Sequence, residues 1–314
     1  MCYSAQIEAD YKKFQREFGA VIDIETFTRL WLRDNDKARR PKTPRALDLS
    51  FLRPGDSNVA AIAAEIREWD NEEVAKLEFE LEKQTERLDA AEQKLAIEPS
   101  KPTKTAANEQ RIAGNKIEQI KRRITDLKRA NLEARDSRMF PGYYCPVLVS
   151  ENGKLVVKPM RYQCRPAGKP PYYDQRYPGT YNARRDNLEG FWKGQFGHTH
   201  ALMLVDTFYE NVEGEDGRNR VVQFTPRTGE QMLVACLWSH WVDPKGLEPD
   251  LLSFAAITDD PESEVAAAGH DRTIINIKPE HIGAWLNPDP TDLQALYAIF
   301  DDKRHPFYEH KIAA

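Results

Sequence analysis

The sequence predicts an α+β fold, with a sheet-rich core, peripheral helices and an inserted antiparallel coiled-coil helical hairpin. Three observations carry that reading. Short apolar runs separated by turn residues crowd the second half of the chain, without the strand–helix alternation of a doubly wound sheet. A stretch near residue 71 changes to a seven-residue apolar repeat and keeps it for about sixty residues. The first thirty residues carry aromatic side chains at helical spacing. At 314 residues, the chain is long enough for one large core, and a single domain over 1–314 with the hairpin of 71–134 inserted in it is expected.

In chain order, Tyr11, Phe14, Phe18, Val21, Ile22, Phe27, Leu30 and Trp31 make an apolar stripe within residues 3–33, read as helical. Arg39-Arg40-Pro41-Lys42-Thr43-Pro44-Arg45 follows as a basic, proline-broken loop. Val74, Leu81, Leu88 and Leu95 are seven apart, with Leu77 and Ala91 between them, and Ile117, Ile120, Ile124 and Leu127 repeat the spacing after a break at Pro99 and Pro102. Two heptad helices joined by a proline loop make a hairpin. Residues 72–97 hold eight acidic and four basic side chains, and residues 106–132 three acidic and seven basic, so the arms attract each other. The hairpin is a candidate arm for a partner, or a spacer.

Strands are expected from Val147 to Val149 and from Leu155 to Val157, around an Asn152-Gly153 turn. Further strands are expected over Ala201–Val205, Leu252–Ile257 and Thr273–Ile277, and a second hairpin pairs Val221–Phe224 with Met232–Trp238 around Arg227-Thr228-Gly229-Glu230. Pro279 opens a short helix over Glu280–Leu286, and Asp292–Phe300 forms another.

Composition narrows the chemistry. With 40% hydrophobic and 30% charged residues and a net charge of −5, the surface is not uniformly basic, which leaves room for a local basic cleft. The four cysteines, Cys2, Cys145, Cys164 and Cys236, form no CxxC pair, which argues against a disulfide framework or a zinc cage. No metal or cofactor is expected. No apolar run approaches a membrane span, and an intracellular, cytoplasmic protein with no membrane partner is expected.

Cys2 stands directly after Met1. Removal of Met1 leaves an α-amine and a thiol on one residue, a 1,2-aminothiol able to attack a carbonyl through either atom. Polar residues at strand ends supply candidate partners: Asn182 and Arg184, Glu210 at the end of an apolar run, and His270 just before a strand. Taken singly, each has an ordinary structural explanation, as a turn cap, an ion pair with Asp186, a solvated carboxylate or a satisfied core histidine.

The ordered set resembles the SOS response-associated peptidase (SRAP) family, the abasic-site processing proteins. Met1-Cys2, Tyr181-Asn182-Ala183-Arg184, Asp206-Thr207-Phe208-Tyr209-Glu210 and Leu237-Trp238-Ser239-His240-Trp241 carry the resemblance. Ser253-Phe254 leading to Ile257-Thr258, then His270-Asp271-Arg272, and finally Trp285-Leu286 continue it. It spans Phe140 to Leu286 plus the N-terminus and leaves the coiled-coil stretch outside. The resemblance implies an SRAP-like core and a covalent crosslink from Cys2 to the ring-opened aldehyde of abasic sites in single-stranded DNA. It implies that Asn182 orients the terminal residue, that Glu210 moves a proton near the sugar hydroxyl and the amine, and that His270 assists ring opening or reversal. Arg161, Arg184 and Arg272 are implied phosphate contacts, and Tyr162 a base-stacking ring. The peptidase activity corresponds to removal of Met1 or a related self-cleavage. The chain departs from the pattern at Cys2-Tyr3-Ser4, where Cys-Gly-Arg is common, so a basic contact near the nucleophile is missing. It departs also at Tyr162-Gln163-Cys164-Arg165-Pro166, Thr207, Asn211 and Asp186, which bears on the DNA surface more than on the reactive centre.

Two rival functions compete with this one. An N-terminal-nucleophile amidohydrolase would use Cys2 to hydrolyse an amide, and a non-enzymatic interaction protein would act through the hairpin alone.

Overall fold

The computed structural model describes residues 4–32, 39–53, 55–97, 104–214 and 216–313. The chain divides into two compact units, Met1–Val59 with Leu132–Ala314, and Ala60–Asn131. Nine α-helices and twelve strands lie among the described residues. β1 (Ser4–Ile7), α1 (Tyr11–Phe18), β2 (Val21–Ile22), α2 (Ile24–Trp31) and α3 (Arg45–Leu52) come first. The second unit holds α4 (Ala60–Ile97) and α5 (Lys104–Lys128). Then follow β3 (Arg138–Met139), β4 (Tyr144–Glu151), β5 (Lys154–Tyr162), α6 (Tyr173–Arg176), β6 (Asn182–Arg184), β7 (His200–Glu213), β8 (Asn219–Pro226), β9 (Met232–Trp241) and β10 (Leu251–Asp259). The chain ends with α7 (Ser263–Ala267), β11 (Thr273–Ile274), α8 (Ile282–Leu286), α9 (Leu293–Asp301) and β12 (Tyr308–Ile312). The fold is α+β, as the crowded strands predict.

The N-terminal stripe is not one helical run. Ser4–Ile7 is a strand because it finds partners on both sides, Phe208 opposite Ala5 on β7 and Met139 opposite Ala5 on β3. Within this stripe both helices begin at a capping aspartate. Asp10 accepts from the Lys12 amide and Gly19 closes α1 in the left-handed region, while Asp23 caps α2 through the Thr26 amide. The expected aromatic stripe does pack: the Tyr11, Phe27 and Trp31 rings close on Phe51 of α3 at 4.7, 5.4 and 5.2 Å. The basic loop leads directly into α3, where Arg40 pairs with the buried Asp48 at 2.7 Å.

In the second unit α4 starts at Ala60, about three turns before the heptad signal. Contacts between its arms run in opposite senses: Glu92 accepts from Gln110, Lys94 pairs with Glu109, and Glu78 pairs with Lys128. The arms are therefore antiparallel. Ala91, Ala113, Ile117, Ile120 and Leu127 are buried along the seam, and Gln84 occupies a heptad position on α4. The proline break between the arms lies outside the described residues.

Pairings among β10, β5, β4, β7 and β9 close into a circuit, each strand joined to the next and β9 returning to β10. Alternate residues of these strands, among them Val147, Met160, Met203, Val234 and Phe254, form one buried cluster. The β4–β5 turn uses Asn152 and Gly153, both at positive φ (52° and 73°), as a two-residue turn of this twist requires. The other expected hairpin is not formed. β8 and β9 both pair with β7, end to end: Val205–His200 opposes Met232–Leu237, and Phe208–Glu213 opposes Phe224–Asn219. β7 is 14 residues long, so two shorter strands fit along it, and residues 227–231 pass from one half to the other rather than turning back. Among the described residues, no helix is long and apolar enough to cross a membrane.

The start of β7 is locked by His200. Its Nδ1–H donates to the Trp285 carbonyl at 2.9 Å, its Nε2 accepts from the Gly197 amide at 2.9 Å, and the Trp285 ring stacks on it. Gly197 is at φ +79°, and a side-chain carbon there would stand 2.8 Å from Leu293. Burial pushes the His200 pKa down to about 3. Because the folded value lies below the unfolded one of about 6.5, the stability this site confers is complete above pH 6.5. It is lost at roughly 1.4 kcal/mol per pH unit as pH falls toward 3. Denaturant midpoints at pH 7, 5 and 4 are expected to fall less steeply in His200→Gln than in the wild-type chain; parallel slopes would remove His200 as the cause.

Candidate active site

Glu210 is turned inward by a register shift. Gln6 opposes Thr207 and Ile7 opposes Val205, so Asp206 is an extra residue that bulges out of the ladder. Beyond the bulge, alternation puts Phe208, Glu210 and Val212 on one face, where Phe208 and Val212 join the core cluster. The Glu210 side chain is 1% exposed.

His270 reaches it from the loop between α7 and β11. Gly269, at φ +91°, lets that loop turn, and the His270 amide donates to the Val265 carbonyl at 3.1 Å. The imidazole Nδ1 lies 2.9 Å from the Arg272 carbonyl oxygen, and Nε2 lies 3.3 Å from Glu210 Oε2. The Arg272 amide also points at Nδ1, at 3.3 Å, so Nδ1 either donates to the Arg272 carbonyl or accepts from the Arg272 amide, according to the tautomer. The two side chains face each other in the interior, with the His270 side chain 8% and the Glu210 side chain 1% exposed. Burial lowers the His270 pKa, opposed by the bond to the Arg272 carbonyl.

Asn182 stands outside this pair, on β6, which runs parallel to β10 with Asn182 opposite Ala256. It is 7% exposed, and its Oδ1 accepts from the Tyr162 hydroxyl in a long contact of 3.4 Å. Cys2 lies outside the described residues. Ser4, the first residue of β1, opposes Tyr209, the neighbour of Glu210.

The expected DNA contacts separate. Arg184 is partly exposed and bidentate to Asp186, at 3.0 and 2.8 Å. Arg272 donates from Nε to Asp271 at 3.2 Å, and its guanidinium holds the Asp271 carboxyl below the usual range. Both remain near the mouth of the loop that carries His270. Arg161 is committed inward, paired with Asp174 at 2.8 Å and bonded to the Gln163 carbonyl. Tyr162 corrects its expectation as a stacking ring. It is fully buried, wedged between Tyr181 and Phe254 at 5.5 and 5.3 Å, with no face open to a base. A cavity of about 500 Å³ opens beside Arg184 and is lined also by Asp186, Thr258, Asp259 and Tyr297; it does not take in Glu210 or His270.

Cys145, Cys164 and Cys236 are all buried. Burial pushes the Cys164 thiol up to about 12 and raises Cys145 as well, so neither supplies a thiolate. Among the described residues no group of three or more His, Cys, Asp or Glu is placed to hold a metal ion.

One basic residue beside the site escapes sequence reading. The Arg138 guanidinium lies over the Tyr209 ring at 3.8 Å, and its Nε donates to the Ser4 hydroxyl at 3.1 Å. No local pattern announces a contact across 134 positions.

The family model described as SOS response associated peptidase (SRAP) matches residues 103–312. No curated protein matches the chain. Among solved structures, a protein of Bordetella bronchiseptica is 18% identical with a TM-score of 0.46, covering 59% of this chain and 90% of its own. A protein of Bacteroides thetaiotaomicron is 14% identical with a TM-score of 0.47, covering 56% and 77%. A phage-related protein of B. bronchiseptica is 17% identical with a TM-score of 0.42, covering 56% and 80%.

Proposed function

The chain belongs to the SOS response associated peptidase family, and from that premise we propose that it traps abasic sites in single-stranded DNA through Cys2. The buried Glu210–His270 pair is the observation that carries this reading. A carboxylate and an imidazole 3.3 Å apart, both buried, are groups able to take up and return protons. Ser4 opposes the residue before Glu210. Two residues of chain span at most about 7 Å, which limits how far Cys2 can lie from Ser4.

The reaction proceeds in three steps. The Cys2 α-amine, with a reference pKa of about 7.7–8.0, adds to the ring-opened C1′ aldehyde and forms a carbinolamine. Glu210 and His270 move protons so that water leaves and an imine remains. The Cys2 thiol then adds to the imine carbon through sulfur, its S–H proton passing to the nitrogen, and closes a thiazolidine. One water is released overall, and no oxidant or cofactor is consumed. Met1 blocks the amine until it is removed, and that self-cleavage is the peptidase activity assigned to the chain here. Asn182 orients the terminal residue.

The test is a denaturation-resistant, gel-shifted species formed with an abasic single-stranded oligonucleotide and not with the intact one. Failure to form it, together with hydrolysis of an amide such as glutamine, would replace this reading with the amidohydrolase one. Arg184 has its guanidinium at the surface, with Asp186 as competitor for it. Arg184→Gln is expected to weaken binding to single-stranded DNA and flatten its salt dependence by about 0.7 in log–log slope, the value for one phosphate contact. An unchanged slope would take Arg184 off the DNA path.

A further inference from the structure

We infer that His305 is a positioning residue: with Lys303 it holds α7 from outside and so sets the turn that aims His270 at Glu210, a role in the reaction that rests on the function proposed above. His270 stands in the loop between β10 and β11, whose ends are paired through Asp259 opposite Thr273 and Thr258 opposite Ile274. Within that loop the backbone passes from α7 to His270 in one hydrogen-bonded turn. The Ala268 amide donates to the Glu264 carbonyl at 3.1 Å, the Gly269 amide to the Ala266 carbonyl at 2.9 Å, and the His270 amide to the Val265 carbonyl at 3.1 Å. The imidazole is thus carried by α7, and the seat of α7 decides where it points.

Five residues make α7, far fewer than the ~12–15 at which an isolated helix is even marginal, so its place is set by what holds it. On the inner side Val265 is fully buried in the core cluster. A side-chain carbon at Gly269 would stand 3.0 Å from Val212, two residues beyond Glu210 on β7. On the outer side the hold comes from the segment between α9 and β12. His305 Nε2 lies 3.0 Å from Glu264 Oε2, and its Nδ1 lies 3.6 Å from Glu262 Oε2. Facing a carboxylate, Nε2 is the donor. Lys303 Nζ lies 3.4 Å from Glu262 and 3.0 Å from Asp259, the last residue of β10. These side chains are between 13% and 26% exposed. They share partners in a network, the condition under which charge pairs near a surface contribute. Glu264 lies on the helix that carries His270, so a shift at His305 is passed through α7 to the 3.3 Å contact with Glu210.

The test reads His270 directly and then the reaction. The Cε1–Hε1 resonances of the seven histidines are recorded by NMR for the wild-type chain, His305→Ala, His305→Gln and Glu264→Ala, with His270 assigned by its loss in His270→Gln. His305→Gln places an amide donor where Nε2 stood. The His270 resonance is expected to move in His305→Ala and to return toward its wild-type position in His305→Gln. The adduct rate at saturating abasic oligonucleotide is expected to fall roughly tenfold in His305→Ala, part of the about hundredfold that a misplacement near 1 Å can cost, with half-saturation kept within about twofold. His305→Gln should recover most of that rate. Glu264→Ala should match His305→Ala, and the double variant should be no slower than the worse single one, as for two halves of one contact. A lower melting temperature with an unmoved His270 resonance and a wild-type rate would overturn the inference, leaving the cluster a stabilising contact only. A raised half-saturation with the rate kept would overturn it in favour of a DNA contact. If His305→Ala does not fold, Glu264→Ala against wild type decides alone. Absence of adduct with the wild-type chain overturns the proposed function, whereas the His270 resonance still decides whether His305 positions that imidazole.

Discussion

Cys2→Ala is expected to reduce the denaturation-resistant adduct from near-stoichiometric to undetectable, while leaving DNA binding intact. The variant keeps its α-amine once Met1 is removed, so it can still form the imine. It has no thiol to close onto the imine carbon, and an imine open to water reverts. Borohydride distinguishes these cases. Reduction during incubation should trap the imine of Cys2→Ala as a stable amine and restore a shifted band, while a chain that retains Met1 should give no band in either condition. Adduct that survives in Cys2→Ala without reductant would exclude the aminothiol mechanism. The other cysteines offer no substitute, because Cys145, Cys164 and Cys236 are buried within the fold.

The parts of this molecule legible from sequence are those set by local rules. Asn152-Gly153 demands a turn of one type, and the flanking β-strands follow. Heptads mark α4 and α5 because the repeat is written every seven residues. What could not be read is whatever depends on partners far along the chain. Ser4–Ile7 has too few residues to declare a period, and it becomes a strand only because β7 and β3 lie on either side. β8 and β9 look like a hairpin from their spacing. Only the length of β7 shows that both can pair with it instead. The same division holds at the site. Glu210 and His270 stand sixty positions apart, and their contact requires the bulge at Asp206, which flips the alternation of β7. Tyr162 departs from its expectation because an aromatic residue beside an arginine looks the same in sequence whether it faces solvent or core. Its alternation with Met160 on β5, both within the buried cluster, was the available sign.

The second large effect concerns proton transfer at the Glu210–His270 pair. Glu210→Gln preserves the shape of the pair, and the amide can still face His270 Nε2, but it cannot exchange a proton. Removal of a positioned acid–base group costs about 10²–10⁴ in rate, so the adduct rate at saturating DNA is expected to fall at least about a hundredfold. The pH profile should change in form as well as height. The amine must be unprotonated to attack, so a limb rising through its pKa, about 7.7–8.0 in reference peptides, is expected in wild type and variant alike. A second ionisation belongs to the coupled pair and should vanish in Glu210→Gln. His270→Gln should remove the same ionisation, and the double variant should be little slower than the worse single one, because residues that act as a unit are not additive. Burial without function predicts something different: a loss of folding stability with wild-type kinetics in the fraction that remains folded. Wild-type rates across roughly pH 6–8 in Glu210→Gln would therefore leave the pair as a buried structural contact, whereas the loss of one limb with the other retained would assign it to proton transfer at the Cys2 amine.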